Sequence, residues 1–307
     1  MVFMTTVSIR ELLRTAANQL ITTKQAVDLD DALLQVQLLF GLAASLERSA
    51  VLGLGIEKPT PMVYKKFQAL LNRRLTHEPL AYILGEKEFF GLPFYVGSGA
   101  LVPRSETEVL VEIAIKKAGV LEQQKAIPRF ADIGTGSGIL AICIARAFPN
   151  ALVHGIDISN SALRWAKKNA TRLVTAKNLT LHQGSLLEPL QKSGIHDLDI
   201  LVSNLPYIPS EEVLDLPEEI RQQEPLIAID GGIDGLELYR SLSLQLKGIL
   251  SPERAVILLE VGAGQISWVE EIIMSAVKTF TDRPITSAKH RDIRKIRRVL
   301  EVSYGGD

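Results

Sequence analysis

Between Phe130 and Ser303 of this 307-residue chain, short apolar runs recur, separated by stretches whose apolar residues follow helical spacing. The runs are Phe130–Ile133, Leu152–Ile156, Leu179–His182, Ile200–Ser203 and Val256–Val261, with weaker ones near Ile285 and over Val299–Ser303. Strands apolar on both faces and alternating with helices predict an α/β fold with a doubly wound, mostly parallel sheet, because only a sheet covered on both sides buries such runs. Ligands of that class bind beyond the C-terminal strand ends, where the strand order reverses. The residues that follow each run are therefore the candidates for chemistry.

The N-terminal part has a different pattern. Ser8 with Glu11 forms a capping box, and Ile9, Leu12, Leu13, Ala16 and Leu20 then recur at helical spacing. A second helix is predicted to start at Asp30 or Asp31, with Leu34, Leu38, Leu39 and Leu42 on one face, and a third opens on Thr60 with Pro61 in its first turn. A small helical domain over 1–78 follows. From Tyr82 to Arg104, aromatic and β-branched residues gather around Gly85, Gly91, Gly97 and Gly99, which predicts a β-hairpin linker over 79–102. The α/β domain then spans 103–307, its first helix capped by Ser105, with Glu108 three residues on, and stopped by Gly119.

Composition narrows the partners. Lys and Arg number 34 against 35 Asp and Glu, a net charge of -1, so the chain is not built to coat nucleic acid or an acidic membrane with its whole surface. The single cysteine, Cys143, sits inside the apolar run Ile139–Ala147 and reads as a buried thiol. His77, His154, His182, His196 and His290 show no metal-ligand spacing, so no metal is expected. Arg10, Glu11 and Arg14 interrupt any signal-peptide core, and no uncharged run reaches the roughly 18 residues of a membrane span. A cytoplasmic monomer is the expectation.

The sharpest local signal is Asp132-Ile133-Gly134-Thr135-Gly136-Ser137-Gly138, between the first strand and the helix opening at Ile139. Dinucleotide folds use GxGxxG; here the third glycine comes one position early, which disfavours a pyrophosphate. The compact spacing after an acid resembles the first motif of S-adenosylmethionine-dependent methyltransferases, in which the loop and the acid hold the methionyl end of the cofactor. Asp157 ends the second strand, where a carboxylate can accept both ribose hydroxyls of a nucleoside; it can equally serve the next helix start, as can Ser159 or Asn160. The resemblance places an adenine-binding acid after the third strand. This chain has Ser185 there, followed by Leu186, and a neutral hydroxyl accepts more weakly than a carboxylate.

After the fourth run comes Ser203-Asn204-Leu205-Pro206-Tyr207. It resembles the (N/D/S)PPY motif of methyltransferases acting on planar nitrogen. A carboxamide nitrogen is a poor nucleophile because its lone pair is delocalised, so such a site must orient it. The Asn204 side-chain oxygen and the Leu205 backbone oxygen can accept the two N–H bonds of a target NH2, while Tyr207 packs on the planar group. This is catalysis by positioning. Leu205 replaces the usual proline, losing a φ restraint but keeping the carbonyl, and Pro206 still biases residue 205 towards an extended backbone.

Three further runs, Leu80-Ala81-Tyr82-Ile83-Leu84-Gly85, Glu88-Phe89-Phe90-Gly91-Leu92 and Leu101-Val102-Pro103-Arg104-Ser105-Glu106-Thr107-Glu108, resemble the release factor glutamine methyltransferase family (PrmC/HemK). So do Glu224-Pro225, Asp230-Gly231-Gly232, Asp234-Gly235, Tyr239-Arg240 and Leu259-Glu260-Val261-Gly262 ahead of Gln265. The resemblance implies a seven-stranded Rossmann-like methyltransferase sheet and N5-methylation, by S-adenosylmethionine, of the Gly-Gly-Gln glutamine of class 1 peptide chain release factors. It further implies cofactor contacts from Asp132, Gly134 to Gly138, Asp157, Ser185, Leu186 and Asn204, a substrate slot formed by Asn204, Leu205, Pro206 and Tyr207, and a roof of Pro103, Arg104 and Glu106. The product would be S-adenosylhomocysteine.

Two alternatives stay open on sequence. A nucleic-acid amino methyltransferase would use the same loop, and Lys278 to Arg298 carries eight basic residues against two acids. A run of that kind is more often a solvated face. A non-catalytic cofactor-binding module would be marked by Leu205 and Ser185.

Overall fold

The computed structural model describes residues 7–123 and 127–305. The chain divides into two compact units, Met1–Glu86 with Pro217–Gln223, and Lys87–Leu216 with Glu224–Asp307.

The first unit holds α1 (Ile9–Thr22), α2 (Leu29–Ala44), α3 (Arg48–Gly53), α4 (Pro61–Leu75), α5 (Leu80–Leu84) and, from much later in the chain, α10 (Glu218–Gln223). The Ser8 capping box is formed, and Ile9, Leu12, Leu13, Ala16 and Leu20 are buried together with Val36, Leu39, Phe40 and Phe67. The second helix starts earlier than its aspartates predict: Asp28 is the cap, accepting from the Asp31 amide, which leaves Asp30 and Asp31 in the first turn, where the helix dipole favours acids. Arg74 is 4% exposed, and its guanidinium donates to Gln35 Oε1, to the carbonyls of Gln25 and Glu78, and to Glu219 of α10 at 2.9 Å.

The hairpin is narrower than predicted. Residues 80–84 form α5, and the strands are β1 (Glu86–Phe89) and β2 (Leu92–Tyr95) around a turn at Phe90 and Gly91. Next, Ser105–Thr107 forms a single 3₁₀ turn and α6 runs Glu108–Gln123. Glu108 accepts the Phe90 amide instead of closing a capping box. Gly119 does not end α6. A glycine costs a helix only about 1 kcal/mol, and the apolar face continues from buried Ala118 to partly buried Leu121.

The second unit's sheet is built from β3 (Arg129–Ile133), β4 (Leu152–Asp157), β5 (Leu179–Gln183), β6 (Ile200–Ser203), β7 (Ala255–Glu260), β8 (Ile285–Arg291) and β9 (Arg297–Tyr304). Their spatial order is β5-β4-β3-β6-β7-β9-β8. The first five are parallel and β9 is antiparallel to both its neighbours. This is the doubly wound, mostly parallel seven-stranded sheet expected. Helices α7 (Ile139–Ala147), α8 (Asn160–Leu173), α9 (Glu188–Lys192), α11 (Glu237–Ser243) and α12 (Ile266–Val277) lie between the strands in sequence. The period of two sorts the strand residues: Phe130, Ile200, Val202 and Leu258 pack with α6 and α7, whereas Ala131, Leu201, Ile257 and Leu259 pack with α11 and α12. Cys143 is buried, which pushes its thiol up to about 12. In the basic segment, Lys289 pairs with Glu270 and His290 with Glu301, on a terminal strand of the sheet where charge discourages edge-to-edge association.

Asn169 of α8 joins the hairpin to the glycine loop. Fully buried, it accepts from the Tyr95 amide at 2.8 Å and donates to the Tyr95 and Ser137 carbonyls at 3.0 and 2.9 Å. Asn169→Ala strands those three backbone groups, and each unpaired buried group costs about 1 to 3 kcal/mol. The variant should lose at least about 2 kcal/mol in urea unfolding; an unchanged midpoint would mean that water replaces the bonds.

Candidate active site

The strand order reverses between β3 and β6, and a cavity of about 660 Å³ opens there, beyond the C-terminal ends of the parallel strands. Gly134 and Gly136 line it from the loop after β3, Asp157 from the end of β4, Ser185 and Leu186 from the turn after β5, and Asn204, Leu205 and Pro206 from the segment after β6. Four stretches far apart in sequence thus converge on one space. Leu186 lies at φ 49°, a left-handed backbone uncommon for a leucine and of the kind that clusters at binding sites. Residues to which motif reading gave no site role complete the wall, among them Gly99 to Leu101, Ile158 and Leu226 to Ala228.

Asp157 accepts the Gly136 amide on one carboxylate oxygen and the Ser159 amide on the other, each at 2.8 Å, so it serves the helix start as anticipated and ties down the glycine loop as well, a bond the sequence did not signal. Burial raises its pKa, and those two backbone bonds oppose the rise. Ser159 caps α8 through the Ala162 amide. The carboxylate is therefore held in place before any ligand arrives, with lone pairs left for hydroxyl donors.

Other loop residues lie behind the cavity wall. Asp132 is completely buried, since its position on β3 faces α7; its Oδ2 accepts from the Thr135 hydroxyl at 2.6 Å and the Ala141 amide at 3.0 Å. Thr135, Ser137 and Gly138 are buried as well and do not line the cavity. In this geometry these four residues shape the loop that Gly134 and Gly136 present. Pro103, Arg104 and Glu106 do not line the cavity either: Arg104 pairs with buried Glu224 at 2.6 Å and Glu106 with Arg294 at 3.2 Å.

The Asn204–Tyr207 segment is clamped from below. Gln265 donates to the Tyr207 carbonyl at 2.8 Å and accepts the Gly262 amide at 3.0 Å. Ile208 exchanges bonds with the next loop, its amide donating to Ile229 and its carbonyl accepting from Gly231. Glycine is required where that loop touches the segment. A Cβ on Gly231 would lie 2.8 Å from both the Pro206 oxygen and the Tyr207 Cα, and one on Gly235 would lie 2.2 Å from the Tyr207 oxygen. Leu205 points into the core, 3% exposed, and also forms cavity wall. Tyr207 lines a second cavity, of about 580 Å³, instead of the first; burial pushes its hydroxyl up to about 12.

Asn204 donates from Nδ2 to Thr107 Oγ1 at 3.2 Å. With the NH2 end engaged, the carbonyl end is the half available to a ligand in the cavity. Glu260, at the end of β7 and 1% exposed, lies behind this pair. Burial raises its carboxyl to about 7, against hydrogen bonding from Thr107 and Asn204 and attraction from Arg298, which lower it. Asp132 is likewise raised to about 7 by burial. Among the described residues, no group of three or more His, Cys, Asp or Glu could hold a metal, and no helix is long and apolar enough to cross a membrane.

The two raised carboxyls set a pH dependence. The unfolded chain releases these protons near the ordinary values of 3.8 and 4.5, whereas the folded protein keeps them to about 7. The native state then binds more protons in that window, so stability is greatest below it and declines as pH rises through it, by up to about 1.4 kcal/mol per pH unit for each group. Asp132→Asn and Glu260→Gln should each flatten the decline between about pH 4 and pH 7, read by urea unfolding across pH without added ligand. Slopes identical to wild type in both variants would mean ordinary ionisation.

Comparison with known proteins is consistent with this geometry. Residues 11–85 match the PrmC N-terminal domain and residues 128–233 match a methyltransferase domain. The release factor glutamine methyltransferase of Bradyrhizobium diazoefficiens is 37% identical over 279 residues, covering 90% of each chain. That of Moorella thermoacetica is 37% identical over 260 residues, covering 85% of this chain and 89% of its own. A solved structure of the hMettl16 catalytic domain in complex with MAT2A 3'UTR hairpin 6 covers 71% of this chain and 77% of its own at 16% identity and a TM-score of 0.51, a likeness of fold alone. At such identity over nearly its whole length, the chain belongs to the release factor glutamine methyltransferase family.

Proposed function

We infer that this chain transfers a methyl group from S-adenosylmethionine to the side-chain amide nitrogen of the glutamine in the Gly-Gly-Gln motif of class 1 peptide chain release factors. The observation that carries the reading is the placement of Asn204, with its NH2 end tied to Thr107, in the wall of the cavity that Asp157 and the glycine loop also line. The cofactor's chemistry fits those residues. The volume lies within the roughly 300 to 1,000 Å³ of small-molecule sites, the carboxylate of Asp157 suits ribose hydroxyls, and Gly134 and Gly136 expose backbone without side chains. Ser185 and Leu186 would border the base. When bound, S-adenosylmethionine supplies an electrophilic methyl on a sulfonium.

The protein's part is orientation. Asn204 Oδ1 and the Leu205 carbonyl accept the two N–H bonds of the glutamine amide and so turn the nitrogen lone pair towards the methyl donor. Pro206 fixes the chain direction after them, and the Gln265 and Gly231 contacts keep the segment from moving. Tyr207 holds the segment on its outer side. Reacting atoms held at roughly 3 to 3.5 Å gain most of their rate from this alignment. No side chain would carry the methyl covalently: Asn204 and Leu205 would hold the amide nitrogen, bound S-adenosylmethionine would supply the methyl with its sulfur as leaving group, and the surplus proton on nitrogen would pass to solvent.

The test is methylation of a purified release factor with labelled S-adenosylmethionine. Mass spectrometry should place one added CH2 on the tip glutamine, and a tip Gln→Ala substrate should gain none. Asn204→Ala should lower turnover on the order of a hundredfold or more with the fold intact by circular dichroism. Asp157→Ala should weaken S-adenosylhomocysteine binding by about tenfold or more, read by calorimetry. Label on another residue, or full turnover in Asn204→Ala, would overturn the assignment.

A further inference from the structure

An asparagine amide is nearly symmetrical in shape, and turning it over exchanges a double donor for an acceptor. If Asn204 is to accept protons from a substrate NH2, something must hold it the right way round. The segment after β6 contains nothing that does so, but the neighbouring strand does. The β6–β7 ladder pairs Ser203 with Leu259, so the next step along it sets Asn204 beside Glu260, on the face that packs against α6 and the turn holding Thr107.

The geometry points to Glu260 as a positioning residue that acts through Thr107 to keep the Asn204 carbonyl oxygen, and not its NH2, towards the substrate; this rests on the functional reading above. Thr107 is fully buried and has one hydroxyl proton. Directed to the Glu260 carboxylate, which when ionised only accepts, that proton leaves the Thr107 oxygen to accept from Asn204 Nδ2, 3.2 Å away. Hydrogen bonding from Thr107 and Asn204 also acts to lower the Glu260 carboxyl, against the rise that burial causes. The chain of bonds then has one direction: Asn204 NH2 to Thr107 OH to carboxylate. Once the Glu260 carboxyl has lost its proton, turning the amide over would set Asn204 Oδ1 against an oxygen with no proton to give and against a negative charge.

Fold stability does not account for this carboxylate. Its Oε2 is buried with no hydrogen-bond partner among the described residues, a costly arrangement that an amide or an apolar side chain would relieve. Tyr239, whose hydroxyl donates to the Glu260 backbone carbonyl at 2.7 Å, needs only the main chain. Glu260 does not line the cavity, so it is not placed to take a proton from the substrate.

Glu260→Gln, Thr107→Val and Thr107→Ser separate the roles. A glutamine at 260 can donate as well as accept, so the bond chain loses its direction, and valine removes the relay while keeping the shape. The release factor assay should show kcat reduced tenfold or more in Glu260→Gln and Thr107→Val, with KM and S-adenosylhomocysteine affinity within about threefold of wild type. Melting temperature in Glu260→Gln should be unchanged or higher, and Thr107→Ser should recover most of kcat. In ¹⁵N spectra the Asn204 side-chain NH2 should exchange slowly in wild type and Thr107→Ser and rapidly in the other two variants. Wild-type kcat in Glu260→Gln, or equal loss in Thr107→Ser and Thr107→Val, would overturn the proposal. A wild type that leaves the glutamine unmethylated overturns the functional reading alone, because the Asn204 exchange rates still decide the orientation: rates equal in all four proteins would overturn it.

Discussion

The register of the parallel ladder β3–β6–β7 is the constraint on which the candidate site depends. Side chains alternate between faces along a strand, so Asp132, Asn204 and Glu260 reach the α6 and α7 side only because Phe130 is paired with Ile200 and Ile200 with Val256. A slip of one residue would send the carboxyls towards the apolar layer around Leu246 and Ile273. Register is enforced in turn by the apolar residues between them, since burying both faces leaves no alternative pairing that keeps polar groups out of the core. Packing and chemistry are thus specified by the same alternation.

Around that ladder the protein uses polar groups in two ways. Asp157 and Gln265 satisfy backbone amides and carbonyls, which ties the loops beyond the strand ends to one another. Asp132 and Glu260 each leave one carboxyl oxygen in the core without a partner among the described residues. Isolated buried charge is unfavourable, and both respond by holding protons far above the ordinary carboxylate range. The first arrangement adds order, and the second keeps ionisable groups close to the ligand cavity at a cost to stability.

Much of this was legible in the sequence. All seven strands, the glycine loop, Asp157 and the Asn204 segment lie where periodicity and motif spacing set them, because those signals come from local burial and local turns. Contacts made across the fold left no such signal. Thr107 reads as one residue of a helix start and Glu260 as the end of an apolar strand; the β6–β7 ladder brings Glu260 beside Asn204, and the turn ahead of α6 brings Thr107. The inward turn of Asp132 depends on which face of β3 meets α7, and the role of Gly231 and Gly235 depends on a loop folding back against Tyr207. Gly119, conversely, looks like a stop signal but sits in a helix whose apolar face continues beyond it.

Helix α10 joins the N-terminal helices although it follows them by more than a hundred residues, and its Glu219 is an ion-pair partner of the buried Arg74 guanidinium. The polypeptide therefore leaves the helical unit after Glu86, returns to it at Pro217 and leaves it again after Gln223. A fragment ending at Glu86 would retain the cation without that counterion, and a deletion across 217–223 would damage a region distant in sequence. Dissecting the molecule into independently folding parts calls for a permuted or stitched design in place of a single truncation.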